Sequence, residues 1–427
     1  MENLFYKPVI SLEAIVQKLT GLMHLELTMA LEAQRAKGKM DVKDLAGIVH
    51  RHTRLSPIFN LDTYASPNAF VVPPQVDKNS PMINDWRKAW ALSDAGNSAV
   101  NYSKGSAVGW VDLEKCKVGG VFEKMAFEVF VTRGAFLGLG PKPLKPAEVS
   151  AIIIHELGHV FVYFMTLAQT FRTAFFLQGF VRDYLALTEK EQRYTLLKEV
   201  EDKYKIKFNS KDAIIESQNQ TVIATMVLAE VADSNRSQFG TTLYDMRTWE
   251  TLSDQFASRQ GAAADLSTAL GKIYHQYDPS VYRGTFSFYL IEAIKTIFLI
   301  LIIGQSVMSL DLLRLLICFG ILSCSPHERE YDKPVERVTK LKIDLIAQLK
   351  SCDSKDSAKA LALIKDIETV DDVLSTMKDR NSFFEIFWLV ISPNTRRQVK
   401  MGKEIQELEK LVNNDLFVSA NKLKHLA

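Results

Sequence analysis

Cysteine is scarce in this chain: four in 427 residues, at Cys116, Cys318, Cys324 and Cys352, with no Cys-x-x-Cys pair. That excludes a disulfide framework. An excess of charge of one sign is missing as well. The 52 Lys and Arg stand against 50 Asp and Glu, a formal net charge of +2, which gives no electrostatic case for nucleic acid as a partner. There is no Gly-rich phosphate loop of useful spacing, no basic patch interleaved with aromatics, no internal repeat and no low-complexity tract. The opening residues, Met1 to Pro8, lack the basic and apolar regions of a signal peptide. A reducing compartment is expected, with the functional site facing the cytoplasm.

What is present is more specific. His155-Glu156-Leu157-Gly158-His159 puts two histidines four positions apart. On a helix they share one face and can offer two imidazole nitrogens to one metal ion. Glu156 flanks them, where it can take a proton from an activated water. The run Val149 to Ile154 is apolar, and Pro146 with Glu148 forms a helix start. The helix is therefore expected to be buried, and two His and a Glu on a buried helix need partners. The bland alternative is a pair of core histidines satisfied by hydrogen bonds.

A catalytic zinc site needs a third protein ligand. Val160-Phe161-Val162-Tyr163-Phe164 follows His159, and none of the eight histidines falls just downstream in a third-ligand spacing. A metzincin-type peptidase is thereby excluded, and a glutamate is the remaining candidate. In Glu250-Thr251-Leu252-Ser253-Asp254-Gln255-Phe256-Ala257 two carboxylates again lie four apart. On a helix both point the same way, Glu250 toward a metal and Asp254 toward a histidine ring nitrogen, where an outer carboxylate fixes the tautomer. A solvated acidic helix face has the same spacing.

His-Glu-Leu-Gly-His followed far downstream by Glu-x-x-x-Asp-x-Phe-Ala resembles the HtpX-like zinc metallopeptidases, a family that includes the CAAX prenyl proteases. Ser66-Pro67-Asn68-Ala69-Phe70 is similar to the family's Asn-Ala-Phe strand beside the active-site cleft. Phe127 to Gly134 resembles the strand that leads into the turn before the metal helix. Motif order and approximate spacing match over about residues 55 to 260. The resemblance implies a zincin-like core and one catalytic Zn2+ held by His155, His159 and Glu250. It makes Glu156 the catalytic base and Asp254 the outer partner of a ligand histidine. Asn68, Ala69 and Phe70 would form the strand that pairs with a polypeptide substrate.

One departure stands out. The family carries a later His-Pro-Pro segment followed by Arg, whose His helps stabilise the tetrahedral intermediate. Here the nearest stretch is Tyr331-Asp332-Lys333-Pro334-Val335-Glu336-Arg337, without that His. Arg337, His327, Tyr331 and Lys333 are the substitutes on hand, and a structural ion pair is the other role open to Arg337. Losing an oxyanion donor costs a few kcal/mol of barrier.

The expected fold class is α+β and mostly helical: a zincin-like metallopeptidase core with a small β-sheet and the His-Glu-x-x-His helix, plus helical additions at both ends. Residues 1–55 form an N-terminal helical segment, 56–345 the metallopeptidase domain and 346–427 a C-terminal helical region. Residues 56–145 are rich in Pro, Gly and Asn with short apolar runs, a small sheet with an exposed edge. Residues 188–220 are charged and read as a solvated helical insertion. Two apolar stretches bear on the membrane, Val160 to Val181 and about 285–325. The second reads as two helices meeting near Gly304-Gln305-Ser306, either a membrane hairpin or a buried core hairpin. Asp311 and Arg314 can pair within it. The aromatic run Phe383 to Ile391 is either helix packing or a partner surface. Zinc-dependent endopeptidase is the expected function, with a weakly active or inactive scaffold of the same fold as the alternative. The intact Glu156 favours the peptidase, because metal binding alone does not require that carboxylate.

Overall fold

Alternation of apolar side chains builds the sheet. In Ala126–Thr132 (β5) Phe127, Val129 and Val131 are buried, and in Ser56–Asp62 (β1) Pro57 and Phe59 are. The computed structural model describes residues 22–74, 109–112, 115–204, 207–239, 246–323, 333–352, 356–383 and 385–386. β1 runs parallel to β5, with Ser56 opposite Ala126 and Asp62 opposite Thr132. Ala69–Val72 (β2) runs antiparallel on the other side of β5, with Ala69 opposite Val131, and ends where Pro73 removes a donor. The order is β1-β5-β2, so β2 is an edge. A separate antiparallel pair joins Trp110–Asp112 (β3) to Lys117–Gly119 (β4).

The other regular elements among the described residues are helical. The chain is thus mostly helix with a small sheet, as expected. Leu22–Ala36 (α1) and Val42–Thr53 (α2) precede the sheet. Thr132 turns β5 into Arg133–Leu137 (α3): its hydroxyl accepts from the Ala135 amide at 3.2 Å and donates to the Ser66 carbonyl at 2.7 Å. Gly134 is obligatory there, since a Cβ would lie 1.9 Å from the Ala65 carbonyl oxygen. The metal-motif helix, Pro146–Leu185 (α4), then runs for 40 residues. Pro146 sits at its first position, and the Glu148 carboxylate accepts the Lys145 amide at 2.6 Å and the Lys272 ammonium at 2.7 Å.

Lys190–Tyr204 (α5), Lys211–Glu216 (α6) and Gln220–Phe239 (α7) follow. Their exteriors are charged, but they are more than a solvated insertion. Phe180, Tyr184, Leu197, Ile214, Ile223 and Val227 make a second, smaller core beneath them. Met246–Arg259 (α8), Ala263–Tyr277 (α9), Pro334–Lys350 (α12) and Ser357–Thr376 (α13) return to the first core. That core draws on both ends of the described chain, from Leu27 and Leu45 through Ile153 and Leu266 to Leu345 and Ile364. The boundary expected at 345/346 falls inside α12.

Between α9 and α12 stand Thr285–Met308 (α10) and Leu312–Ser323 (α11). α10 and the Pro146–Ala168 part of α4 are both long and apolar enough to cross a membrane. The α4 part is 72% buried and the α10 window only 6%, so among the described residues little covers α10. The hinge also differs from expectation. α10 continues through Gly304, and the turn comes at Ser309 to Asp311, where Leu310 adopts φ of 53° and Asp311 accepts the Arg314 amide at 3.1 Å. Ser306 returns its hydroxyl to the Ile302 carbonyl at 2.7 Å, so it caps nothing and leaves the helix intact. Residues 387–427, and with them most of the Phe383 to Ile391 run, lie outside the described residues.

Candidate metal centre

The apolar residues around the motif, Ile153, Ile154, Leu157 and Val160, are fully buried, which fixes the rotation of α4. His155 is buried, whereas Glu156 and His159 are half-exposed. One donor atom from each of the three lies within 4.8 Å of the others. α8 crosses α4 at Gly158. A Cβ on Gly158 would lie 2.8 Å from the Ser253 Cα, so only glycine permits this approach. The approach delivers Glu250, Ser253 and Asp254.

The resulting geometry fits a tetrahedral metal. His155 Nε2 and His159 Nε2 are 3.1 Å apart, and Glu250 oxygens stand 3.5 Å from the first and 3.3 Å from the second. Ligands about 2.0–2.1 Å from a tetrahedral zinc are about 3.3 Å from one another. Both imidazoles have their other nitrogen engaged. His155 Nδ1 donates to Asp254 Oδ1 at 2.8 Å. Ser253 gives its hydroxyl proton to the Trp249 carbonyl at 2.8 Å, so its oxygen accepts from His159 Nδ1 at 3.0 Å. Both Nε2 atoms, 3.1 Å apart, are thereby left as the unprotonated nitrogens of neutral rings.

Arg337, from the first turn of α12, reaches into the centre. Its Nε and Nη2 donate to the two oxygens of Asp254 at 2.7 and 2.8 Å, and Nη2 lies 3.1 Å from Glu250 Oε2 and 3.1 Å from His155 Nε2. The pairing with Asp254 and Glu250 is the ion-pair role for Arg337, and Nη2 also faces the His155 nitrogen that would be offered to a metal. With neutral histidines, three carboxylates (Glu156, Glu250, Asp254) and one guanidinium leave two negative charges, which a divalent cation balances.

The same neighbours set the acidities. Burial pushes the Glu156 carboxyl up, against the pull of the two histidines. Burial acts likewise on Glu250, but hydrogen bonds from His155 and His159 and the Arg337 charge outweigh it and hold Glu250 well below the usual carboxylate range. Burial alone would lower His155; the Asp254 carboxylate reverses this and raises it to about 9. Asp254 is itself held low by Arg337 and His155 despite its burial. Burial also raises the Tyr274 phenol, which feels Arg337, Asp254 and Glu250.

The Asn68-Ala69-Phe70 strand packs beside α4 as the sheet edge. Ala69 is buried, Phe70 is exposed and stacks on Phe130 at 4.8 Å, and Asn68 caps the Ala69 amide at 2.9 Å. His327 and Tyr331 lie outside the described residues. The sequence reading missed Ser253 and Tyr274. Ser253 could have been found from its place three residues after Glu250, on the same helical face. A second histidine network, His24 between Ser150 (3.0 Å) and Asp265 (2.8 Å), has the makings of a hydrolytic triad. Ser150 is wholly buried, so the network is a clasp between α1, α4 and α9. Compared with known proteins, the chain matches no family model, no curated protein and no solved structure.

Proposed function

We propose that this chain is a zinc-dependent endopeptidase with a zincin-like core, associated with the cytoplasmic side of a membrane. The observation that carries the reading is the convergence of His155 Nε2, His159 Nε2 and the Glu250 carboxylate: the nitrogens are 3.1 Å apart, Oε2 is 3.5 Å from the first and Oε1 3.3 Å from the second, and both Nδ1 atoms are engaged behind them. These three residues would hold the ion, and Asp254, Ser253 and Arg337 orient them. When bound, zinc supplies Lewis acidity toward a peptide carbonyl and makes water acidic enough to attack near neutral pH. Glu156, half-buried and within 4.8 Å of the two histidine nitrogens, accepts the proton of the attacking water and returns it to the leaving amine. A polypeptide substrate pairs with the outer edge of β2 through the backbone of Asn68 to Phe70, because an unpaired strand edge offers a row of donors and acceptors. Tyr274, whose phenol feels Arg337, Asp254 and Glu250, gives the donor to the developing oxyanion.

The test is cleavage of an unstructured protein by the purified zinc-loaded chain. Glu156→Gln is expected to keep its zinc and lose activity by on the order of 10²- to 10⁴-fold. Glu250→Ala is expected to lose the zinc itself. Full zinc in Glu250→Ala would refute the ligand assignment. The scaffold reading is favoured by one observation, the two nitrogens of Arg337 that are directed at Asp254 and Glu250. Zinc present with no cleavage by the parent chain would select it.

A further inference from the structure

The root of the apolar hairpin is a cleft of about 390 Å³, lined by none of the proposed metal ligands. It is walled by the turn Pro279–Tyr282, the first turns of α10, the start of α12 and the segment after α13. Five basic and four acidic side chains line it, and each carboxylate already has a partner. Glu292 holds Lys295 at 2.9 Å, Asp379 and Glu385 each stand 3.5 Å from Lys333, and Asp278 takes the Ser280 hydroxyl. Arg283, Lys378 and Arg380 also line the cleft, and none has a carboxylate partner among the described residues. Arg380 is fixed: it donates to the Arg283 carbonyl at 2.9 Å and the Thr285 hydroxyl at 3.0 Å, and its guanidinium lies 5.4 Å from the centre of the Phe288 ring. Pro334 and Val335 bring the positive end of α12 to the same wall.

Position supplies the second half of the argument. Past Glu292 and Lys295, α10 carries no charge from Thr296 to its end at Met308, a length of about 20 Å at 1.5 Å per residue. Ile297, Phe298, Ile300 and Leu301 are 58–65% exposed there, which a bilayer would cover. The cleft thus sits one helical turn from the apolar stretch, at headgroup depth. We propose that it binds the phosphate of an anionic phospholipid, with Arg283 and Lys378 as the phosphate-binding cations and Arg380 as fixed positive background. The inference stands apart from the metal chemistry, and the variants below leave every proposed zinc ligand in place.

The test is thermal unfolding of the full chain in neutral detergent micelles doped with phosphatidylglycerol or phosphatidylcholine, beside a titration with inorganic phosphate. A saturable rise in Tm with phosphatidylglycerol is expected, at a half-point at least tenfold below that for phosphatidylcholine. Arg283→Glu/Lys378→Glu should weaken that response roughly 30-fold, at about fivefold per cation. Lys39→Glu/Lys198→Glu, exposed positions elsewhere with the same change in net charge, should leave it intact. Should the first variant fail to fold, Arg283→Gln/Lys378→Gln serves in its place. Equal responses to the two lipids, or equal losses in the two charge-reversal pairs, would overturn the proposal. So would a variant-sensitive response to inorganic phosphate that matches the one to phosphatidylglycerol, because the cleft would then serve a soluble phosphate.

Discussion

Helices α4 and α10 are similar in the amino acids they use and opposite in where they lie. The apolar part of α4 is 72% buried within the protein, the corresponding part of α10 only 6%. Their polar residues account for the difference. In α10, Thr296, Ser306 and Ser309 return their hydroxyls to carbonyls of their own helix at 2.7–2.8 Å. They ask nothing of any neighbour, which suits a helix surrounded by lipid. In α4, Ser150, His155 and His159 reach to α1, α8 and α12. A polar residue that must find its partner on another helix marks a helix that belongs to the protein core. Apolarity alone cannot tell the two cases apart; the destination of each polar side chain can.

A lysine placed in each helix tests this contrast most severely. Ile154 is fully buried, so Ile154→Lys leaves a charge without a partner and is expected to cost more than about 4 kcal/mol, seen as loss of the folded chain. Ile300 is 62% exposed, and Ile300→Lys should leave the fold unchanged. Its effect should appear instead in membrane partitioning, weakened by about 3 kcal/mol if the helix lies in lipid. An equal loss of Tm in the two variants would erase the contrast.

A glycine pair sharpens it. Gly158→Ala drives a methyl group into the Ser253 backbone and should cost about 1–3 kcal/mol together with weaker zinc binding. At Gly304 a Cβ would meet nothing within 4 Å, and Gly304→Ala should be neutral or stabilise by up to about 1 kcal/mol. Denaturant midpoints for the two variants give the comparison directly.

The smallest effect is a proton count. His155 is raised to about 9, above its unfolded value. In the metal-free protein its protonated form therefore adds stability that is complete below the unfolded pKa and fades as pH rises through about 9. A metal ligand must be neutral, so zinc binding at pH 7.5 is expected to release about one proton. That release should shrink above pH 9 and fall in Asp254→Asn. Calorimetry in buffers of different ionisation heat reads the number; no release at pH 7.5 would sever the link from His155 to Asp254.

Several parts of this arrangement were legible in the sequence because they rest on local spacing. The motif helix and its Pro146–Glu148 start needed no tertiary information. The same holds for the helical pairing of Glu250 with Asp254 and for the strand that ends at Pro73. What stayed hidden depends on distant contacts. Nothing around Arg337 announces that it will face Asp254, and Ser253 becomes a histidine partner only through the crossing at Gly158. The hinge at 309–311 was missed for a different reason. Gly304 looks like a breaker, yet a glycine with a free surface and intact backbone hydrogen bonds lets a helix continue.

The spacing of the centre along the chain has a consequence in time. Ser253 follows His159 by 94 positions and Arg337 follows His155 by 182. At a synthesis rate of about 5–20 residues per second, roughly 10–40 s separate the appearance of the motif helix from that of the arginine. For about the first half of that interval the two histidines and Glu156 exist without Glu250, Ser253 and Asp254, and for all of it without Arg337. A nascent chain therefore carries a half-set of ligands, and the centre becomes whole only when most of the protein has already left the ribosome.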